Sequence, residues 1–196
     1  MRTSDVEILI VPGWSDSGPD HWQSRWVRNL KTARRIEQAD WYKPDRAAWV
    51  GRIAEVVGRA KLPVVLVGHS LGVAAILHAA HLLERGRVAG AYLVAPSDLE
   101  AHASWPRDEG QAWAEIVASF LPMPTERLPF PSRVIASSDD GFCSVVRAQA
   151  LGAAWGGDVS VIANAGHINT ASGHGPWPEG LLTFGLFLKS LGARAS

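Results

Sequence analysis

The sequence has almost no cysteine and no long apolar run, and each absence excludes a class of protein. Cys143 is the single cysteine among 196 residues, so the chain cannot form an internal disulfide and does not depend on an oxidising compartment. The first residues, Met1–Asp5, contain no apolar signal core. No run approaches the roughly 18 apolar residues that are needed to span a bilayer. We therefore expect a cytoplasmic protein without membrane contact.

The chain also has no excess of charge of either sign, since it contains 19 basic and 19 acidic residues. This balance gives no electrostatic reason to expect binding to nucleic acid. His78 and His81 lie three residues apart, but no glutamate completes a His-Glu-x-x-His zinc motif. We expect no metal, no organic cofactor and no nucleic-acid partner, and nothing in the sequence indicates a protein partner.

Short apolar runs alternate with helical patterns along the whole chain, which predicts one domain over residues 1–196. The expected strands are Glu7–Val11, Arg35–Gln38, Val64–Val67, Val88–Ala95, Arg133–Ala136 and Val159–Ala163. The expected helices are Pro19–Leu30, Arg46–Arg59, Leu71–Leu83, Glu109–Phe120, Ser144–Trp155 and Pro178–Leu191. The near-continuous apolar runs are typical of parallel strands that are buried on both faces. The fold class is therefore α/β, with a mostly parallel sheet between two layers of helices.

The stretch Pro96–Ser132 is irregular and rich in proline, and it contains one helical pattern. It is too short to form a second domain or the large hydrophobic lid of an interfacial lipase. We therefore expect the walls of any pocket to come from this segment and from loops near Trp14 and Phe142.

The most informative motif is Gly68-His69-Ser70-Leu71-Gly72, which joins an apolar run to a helical pattern. This layout is typical of a nucleophile elbow, in which a serine lies on a strained turn between a strand and a helix. The flanking glycines relieve the crowding that a Cβ would cause in such a turn. The motif predicts that Ser70 is a catalytic nucleophile.

A serine nucleophile needs a base, and the chain offers seven histidines. His167 follows the last strand, at the carboxyl edge where a parallel sheet presents its site. We favour it as the base, with His174 as the alternative. His69 adjoins Ser70 on the tight turn, so its side chain should point away.

The third member should be a carboxylate that orients the imidazole, and in this kind of fold it lies between the serine and the histidine in chain order. Asp98, Asp139 and Asp140 each follow a strand in that interval. Neighbouring residues at a strand end point apart, so only one of Asp139 and Asp140 should face the histidine. Spacing alone does not decide which of the three aspartates is the acid.

An oxyanion hole should combine two backbone N–H groups. One should come from Leu71, at the start of the helix after the serine. The other should come from Trp14, which follows Pro12-Gly13 in the loop after the first strand.

Nine tryptophans are many for this length. Trp22 and Trp26 share one helix face and are expected in the core. Trp14, Trp105 and Trp177 lie in loops expected near the mouth of the site, where they are candidates for an acyl pocket, with surface packing as the alternative.

Several motifs, in order, resemble the retinoblastoma-binding protein 9 / YdeN-type serine hydrolases over about residues 6–188. They are Val11-Pro12-Gly13-Trp14, Asp20-His21-Trp22, Gly68-His69-Ser70-Leu71-Gly72, Leu93-Val94-Ala95-Pro96, Ala136-Ser137-Ser138-Asp139-Asp140-Gly141-Phe142-Cys143 and Ala165-Gly166-His167-Ile168-Asn169. The most specific part is Gly166-His167-Ile168-Asn169.

The resemblance implies a compact α/β hydrolase with a six-stranded sheet and no large cap. It also implies that Ser70 is the nucleophile, His167 the base and Asp140 the acid. In the family the acid precedes a Pro-Tyr or similar pair, and here Gly141-Phe142 takes that place, so Gly141 departs from the family's proline. The expected activity is hydrolysis of a small ester, thioester or amide through an acyl-serine. The alternatives are an aminopeptidase-like amide hydrolase and a protein-interaction module that keeps the hydrolase shell.

Overall fold

The fold is built on one sheet of six parallel strands, in the order β2-β1-β3-β4-β5-β6. A computed structural model describes residues 1–106 and 112–194, without the side chain of Arg194. The strands are β1 Glu7–Val11, β2 Ala33–Arg35, β3 Val64–His69, β4 Val88–Val94, β5 Ser132–Ser137 and β6 Asp158–Ile162. The predicted six-stranded parallel sheet is confirmed.

The α-helices of the described residues are α1 Trp22–Asn29, α2 Arg46–Gly58, α3 Leu71–Ala79, α4 Trp113–Val117, α5 Val145–Ala154 and α6 Pro178–Arg194. Their ends mostly differ from the predicted ones by a few residues. The prediction of a helix over Glu109–Phe120 is wrong in length, because α4 is short and gives way to a 3₁₀ turn at Ala118–Phe120. Residues 109–111 of that prediction lie outside the described part. Across residues 1–106 and 112–194, no helix is long and apolar enough to cross a membrane.

The helices form a layer on each face of the sheet. Residues of α2, α3 and α5 pack against one face, and residues of α1 and α6 pack against the other. Side chains alternate along β1, so that Leu9 and Val11 belong to the first core and Ile8 and Ile10 to the second. Burial on both faces explains why the central strands are continuous apolar runs.

The predicted bounds of the second strand are wrong. The strand was expected at Arg35–Gln38, whereas β2 pairs with β1 through Ala33–Arg35. It lies at the edge of the sheet, where Arg34 reaches solvent and donates to Glu7 at 2.7 Å. A short, charged edge strand lacks the apolar run that marks the central strands.

Buried histidines couple the stability of this fold to pH. His21 is the N-cap of α1, and its Nδ1 accepts a hydrogen bond from the N–H of Gln23 at 3.2 Å. Burial, and then the nearby His167, lower the pKa of His21 to about 4. Burial also lowers the pKa of His69 well below its ordinary value. Each of these two imidazoles therefore stays neutral in the folded chain at pH values where it is protonated in the unfolded chain.

We expect the free energy of unfolding to fall as the pH drops from about 6.5 toward the folded pKa of His21, because only the unfolded chain binds the proton there. His21 is neutral in both states above that window and has no effect on the pH dependence there, and the loss of stability grows progressively as the pH falls within the window. The variant His21→Asn keeps a capping oxygen and cannot ionise. In this variant, the change of the free energy of unfolding with pH should be smaller than in the wild type by roughly 1.4 kcal/mol per pH unit inside the window.

Urea unfolding at several pH values between about 4.5 and about 6.5 measures this slope. The exposed His81 offers the matched control, and His81→Asn should reproduce the wild-type slope. An equally steep slope in His21→Asn would contradict the assignment.

Candidate active site

Ser70 lies on the turn between β3 and α3, with φ 55° and ψ −126°. Residues with a side chain seldom adopt this backbone conformation. A Cβ added at Gly68 would lie 2.7 Å from Cδ1 of Ile76, and one at Gly72 would overlap the carbonyl oxygen of Val11. Gly72 is therefore required by its close contact with backbone atoms, whereas a Cβ at Gly68 would have to displace the end of the Ile76 side chain. The turn has the strained geometry that the motif predicts.

Three side chains meet at the carboxyl edge of the sheet. Ser70 Oγ lies 2.9 Å from Nε2 of His167, and Nδ1 of His167 lies 2.9 and 3.0 Å from the two carboxylate oxygens of Asp140. The side chain of Asp140 is 2% exposed and that of His167 is 11% exposed. Such an arrangement can pass the serine proton to the imidazole, while the carboxylate stabilises the imidazolium that forms.

The other two candidate carboxylates have different partners. Asp139 accepts hydrogen bonds from Ser137 Oγ at 2.7 Å and from the N–H of Gly166 at 2.8 Å, and these bonds lower its pKa. Asp98 forms an ion pair with Arg147 at 3.1 Å. Asp139 therefore fixes the loop that precedes the histidine, and the ion pair holds Asp98 at the end of β4.

The alternative histidine, His174, lies in a different hydrogen-bond network, with its Nδ1 3.2 Å from Ser172 Oγ. The side chain of His69 is not hydrogen-bonded to Ser70. It contacts His167 instead, and the sequence did not predict this contact. Its Nε2 donates to the backbone carbonyl of His167 at 2.8 Å, and the two rings lie 4.9 Å apart. Burial lowers the pKa of His69 well below its ordinary value, and the hydrogen bond to this carbonyl partly opposes that shift.

The loop that carries His167 is strained and anchored. Asn164, Gly166 and Ile168 have φ values of 53°, 54° and 47°. A positive φ is a genuine outlier for a β-branched residue such as Ile168. Its carbonyl accepts a hydrogen bond from Trp22 Nε1 at 2.9 Å, and its side chain is buried. Packing against α1 therefore holds the loop in a conformation that it would not otherwise adopt.

The two predicted oxyanion donors belong to segments that lie next to Ser70. Leu71 is the first residue of α3, so its N–H has no acceptor within the helix. A Cβ on Gly13 would lie 2.8 Å from the Cβ of Ser70 and 3.3 Å from the nitrogen of Leu71. Trp14 follows directly, and no backbone carbonyl of the described residues accepts from its N–H. The role of both N–H groups stays a prediction.

A cleft of about 350 Å³ opens over Ser70. One side is an aromatic wall of edge-to-face contacts, with ring centroids 5.1 to 5.8 Å apart. The wall consists of Trp14, Trp105, Trp113 and Phe142. The ring of Phe142 also lies 4.3 Å from that of His167. The expected sources are thus confirmed for this wall, but the lining also includes His21 and residues 169–171, which the sequence did not single out.

The expectation that Trp177 lies near the mouth is wrong. It is 4% exposed and packs in the core, with its ring 5.1 Å from Trp22 and 6.2 Å from Trp26. Its position directly before α6 brings it against α1 rather than into the cleft. The core positions of Trp22 and Trp26 are confirmed. Trp113, which the sequence did not single out, completes the wall instead.

No group of three or more potential metal ligands occurs among the described His, Cys, Asp and Glu residues.

Comparison with known proteins places this chain in a family. The family model of serine hydrolases matches residues 8–185. A protein from Pectobacterium atrosepticum, described as a YdeN-like hydrolase, is 33% identical and superimposes with a TM-score of 0.82. That alignment covers 96% of this chain and 94% of the other. No curated protein matches the chain at a significant level.

Two more distant structures show the fold alone. The ydeN gene product of B. subtilis is 19% identical with a TM-score of 0.70, over 95% of this chain and 98% of that one. The esterase RhEst1 from a Rhodococcus species is 16% identical with a TM-score of 0.59, over 84% of each chain. The likeness to retinoblastoma-binding protein 9 stays a prediction. The chain belongs to the serine hydrolase family, and it is an enzyme of that class with a compact α/β-hydrolase fold.

Proposed function

We propose that this enzyme hydrolyses small carboxylic ester, thioester or amide substrates through an acyl-serine intermediate on Ser70. The observation that carries the proposal is the unbroken hydrogen-bonded path from Ser70 Oγ through His167 to Asp140. A free serine hydroxyl is barely ionised at neutral pH, so it needs a base in direct contact. His167 Nε2 lies within that contact distance, at 2.9 Å.

In the first step, Ser70 Oγ attacks the acyl carbon of the substrate while His167 Nε2 takes the hydroxyl proton. Asp140 holds the other ring N–H and stabilises the positive imidazolium. The N–H groups of Leu71 and Trp14 donate to the oxyanion. When the tetrahedral intermediate collapses, the leaving group takes the proton from His167.

In the second step, His167 removes a proton from water, which attacks the acyl carbon. The bond between that carbon and Ser70 Oγ breaks, the serine regains its proton from His167, and the carboxylic acid leaves. The residues supply a nucleophile, a base and an acid, so the proposal needs no cofactor.

A binding module that had only kept the hydrolase shell was the alternative of a different class. Binding alone gives no physical reason to bury a carboxylate against an imidazole and to align that imidazole with a strained serine. Hydrolysis of amides, as in an aminopeptidase, uses the same three residues and differs in the leaving group.

The first test is covalent labelling with a fluorophosphonate probe, which reports an activated serine. Ser70→Ala should abolish labelling, because the attacking oxygen is removed. Thermal unfolding should show that the variant is folded, since a smaller side chain relieves rather than adds crowding on the turn. Labelling that persists in folded Ser70→Ala would exclude Ser70 as the nucleophile.

The adjacent aspartates provide a matched pair of variants. Asp140→Asn should lower turnover by as much as about 10⁴-fold, because the imidazole loses the charge that fixes its tautomer. Asp139→Asn should remain near wild type, because an amide oxygen can still accept from Ser137 and Gly166. Steady-state hydrolysis of p-nitrophenyl acetate measures both. The reverse ranking would reassign the acid.

The cleft predicts a preference for short acyl chains. Each methylene adds about 0.8 kcal/mol of binding only where apolar surface can cover it, and the cleft is small. A series of p-nitrophenyl esters should therefore peak at roughly two to four acyl carbons. The rate should also rise smoothly as substrate passes from monomer to emulsion. A preference for long chains, or a jump at the oil–water interface, would contradict this prediction.

A further inference from the structure

A second serine hydroxyl contacts the proposed nucleophile. Ser97 Oγ lies 3.1 Å from Ser70 Oγ, and Ser97 is 2% exposed. Among the described residues, Ser97 makes no other side-chain hydrogen bond. Ser97 is also one of the residues that line the cleft over Ser70.

The backbone fixes Ser97 on both sides. Just before it, Ala95 turns the chain at φ 45°, and its N–H donates to the carbonyl of Ile135 at 2.8 Å. Just after it, the N–H of Asp98 donates to the carbonyl of Phe142 at 3.0 Å. The nucleophile is attached to the same strand end, because the N–H of Ser70 donates to the carbonyl of Val94 at 3.1 Å. The sheet therefore fixes the backbone positions from which the two hydroxyls approach each other.

The number of protons decides the direction of this hydrogen bond. Nδ1 of His167 faces two carboxylate oxygens of Asp140, so it carries a hydrogen. In the neutral imidazole Nε2 is then an acceptor, and Ser70 donates its one hydrogen to it. Ser70 Oγ has no second hydrogen to give, so Ser97 must be the donor.

We propose that Ser97 is a further catalytic residue, whose O–H donates to Ser70 Oγ and stabilises the negative charge on that oxygen whenever its bond to the acyl carbon forms or breaks. During attack, the proton of Ser70 passes to His167 Nε2 and an electron pair of Oγ forms the new bond. During deacylation, that pair returns to Oγ as the bond breaks, and His167 returns a proton. Ser97 keeps its own proton throughout. The inference rests on the acyl-serine chemistry proposed above.

The rate constant for labelling by a fluorophosphonate isolates the attack of Ser70, because no deacylation follows. Ser97→Ala should label about tenfold more slowly, the size expected for loss of one neutral hydrogen bond. The midpoint of the pH profile should stay the same, because Ser97 does not touch His167. With p-nitrophenyl acetate, the burst and the later deacylation should both slow, since Oγ bears charge in both steps.

The matched control is Ser132→Ala, at the start of β5. Ser132 is also a buried serine, but its hydroxyl has no partner among the described residues, and it does not line the cleft. It should label at the wild-type rate. Ser97→Cys keeps the size of the side chain with a weaker donor, so it should also label more slowly, and it serves if Ser97→Ala does not fold.

Labelling of either Ser97 variant at the wild-type rate would overturn the inference and leave the proposed function intact. A slower rate with a shifted pH midpoint would also overturn it, because the substitution would then act by displacing His167. If the wild-type enzyme itself were not labelled, the proposed function would fail and the role of Ser97 would fail with it.

Discussion

The close approach of two backbone segments at Ser70 is the constraint on which the site depends. The end of β1 lies beside the end of β3, with Val11 opposite Gly68. The chain then leaves β1 toward one edge of the sheet and leaves β3 toward the other, so a crevice opens between their ends. Glycine at positions 13, 68 and 72 allows the loop after β1, the turn and the first residues of α3 to touch. A Cβ on Gly13 would meet the Cβ of Ser70, and one on Gly72 would overlap the carbonyl oxygens of Val11 and Pro12, so these two glycines keep the loop against the turn.

Strain is concentrated at the same edge. The six non-glycine residues of the described chain with positive φ all follow the carboxyl end of a strand: Ser15, Asp16, Ser70, Ala95, Asn164 and Ile168. Such conformations cost of order 1–3 kcal/mol each and persist only where the surroundings impose them. Here the surroundings are a sheet with both faces covered and anchors such as the hydrogen bond from Trp22 to Ile168. The rigid sheet offsets the strain of the loops that carry the site.

The sequence predicts this arrangement well where a pattern repeats and less well where a contact is unique. Burial on both faces gives central strands such as Val64–His69 a continuous apolar signal, whereas the edge strand Ala33–Arg35 has none. Chain order restricts the acid to a few aspartates, but Asp139 and Asp140 are neighbours, and only the direction of each side chain separates them. The contacts of Ser97 with Ser70 and of His69 with His167 join residues at the ends of different strands, and no spacing along the chain encodes them.

In the proposed mechanism, the hydrogen bonds that link Ser97, Ser70, His167 and Asp140 run in one direction. Ser97 donates to Ser70, Ser70 to His167, and His167 to Asp140, so every donor points toward one carboxylate. The N–H of Phe142 donates to that same carboxylate at 2.9 Å and helps to hold its charge in a nearly dry position. Aligned bonds in a medium of low dielectric polarise one another. In the mechanism proposed above, the proton moves from Ser70 to His167, so the new positive charge forms next to Asp140 and the new negative charge forms on the oxygen to which Ser97 donates.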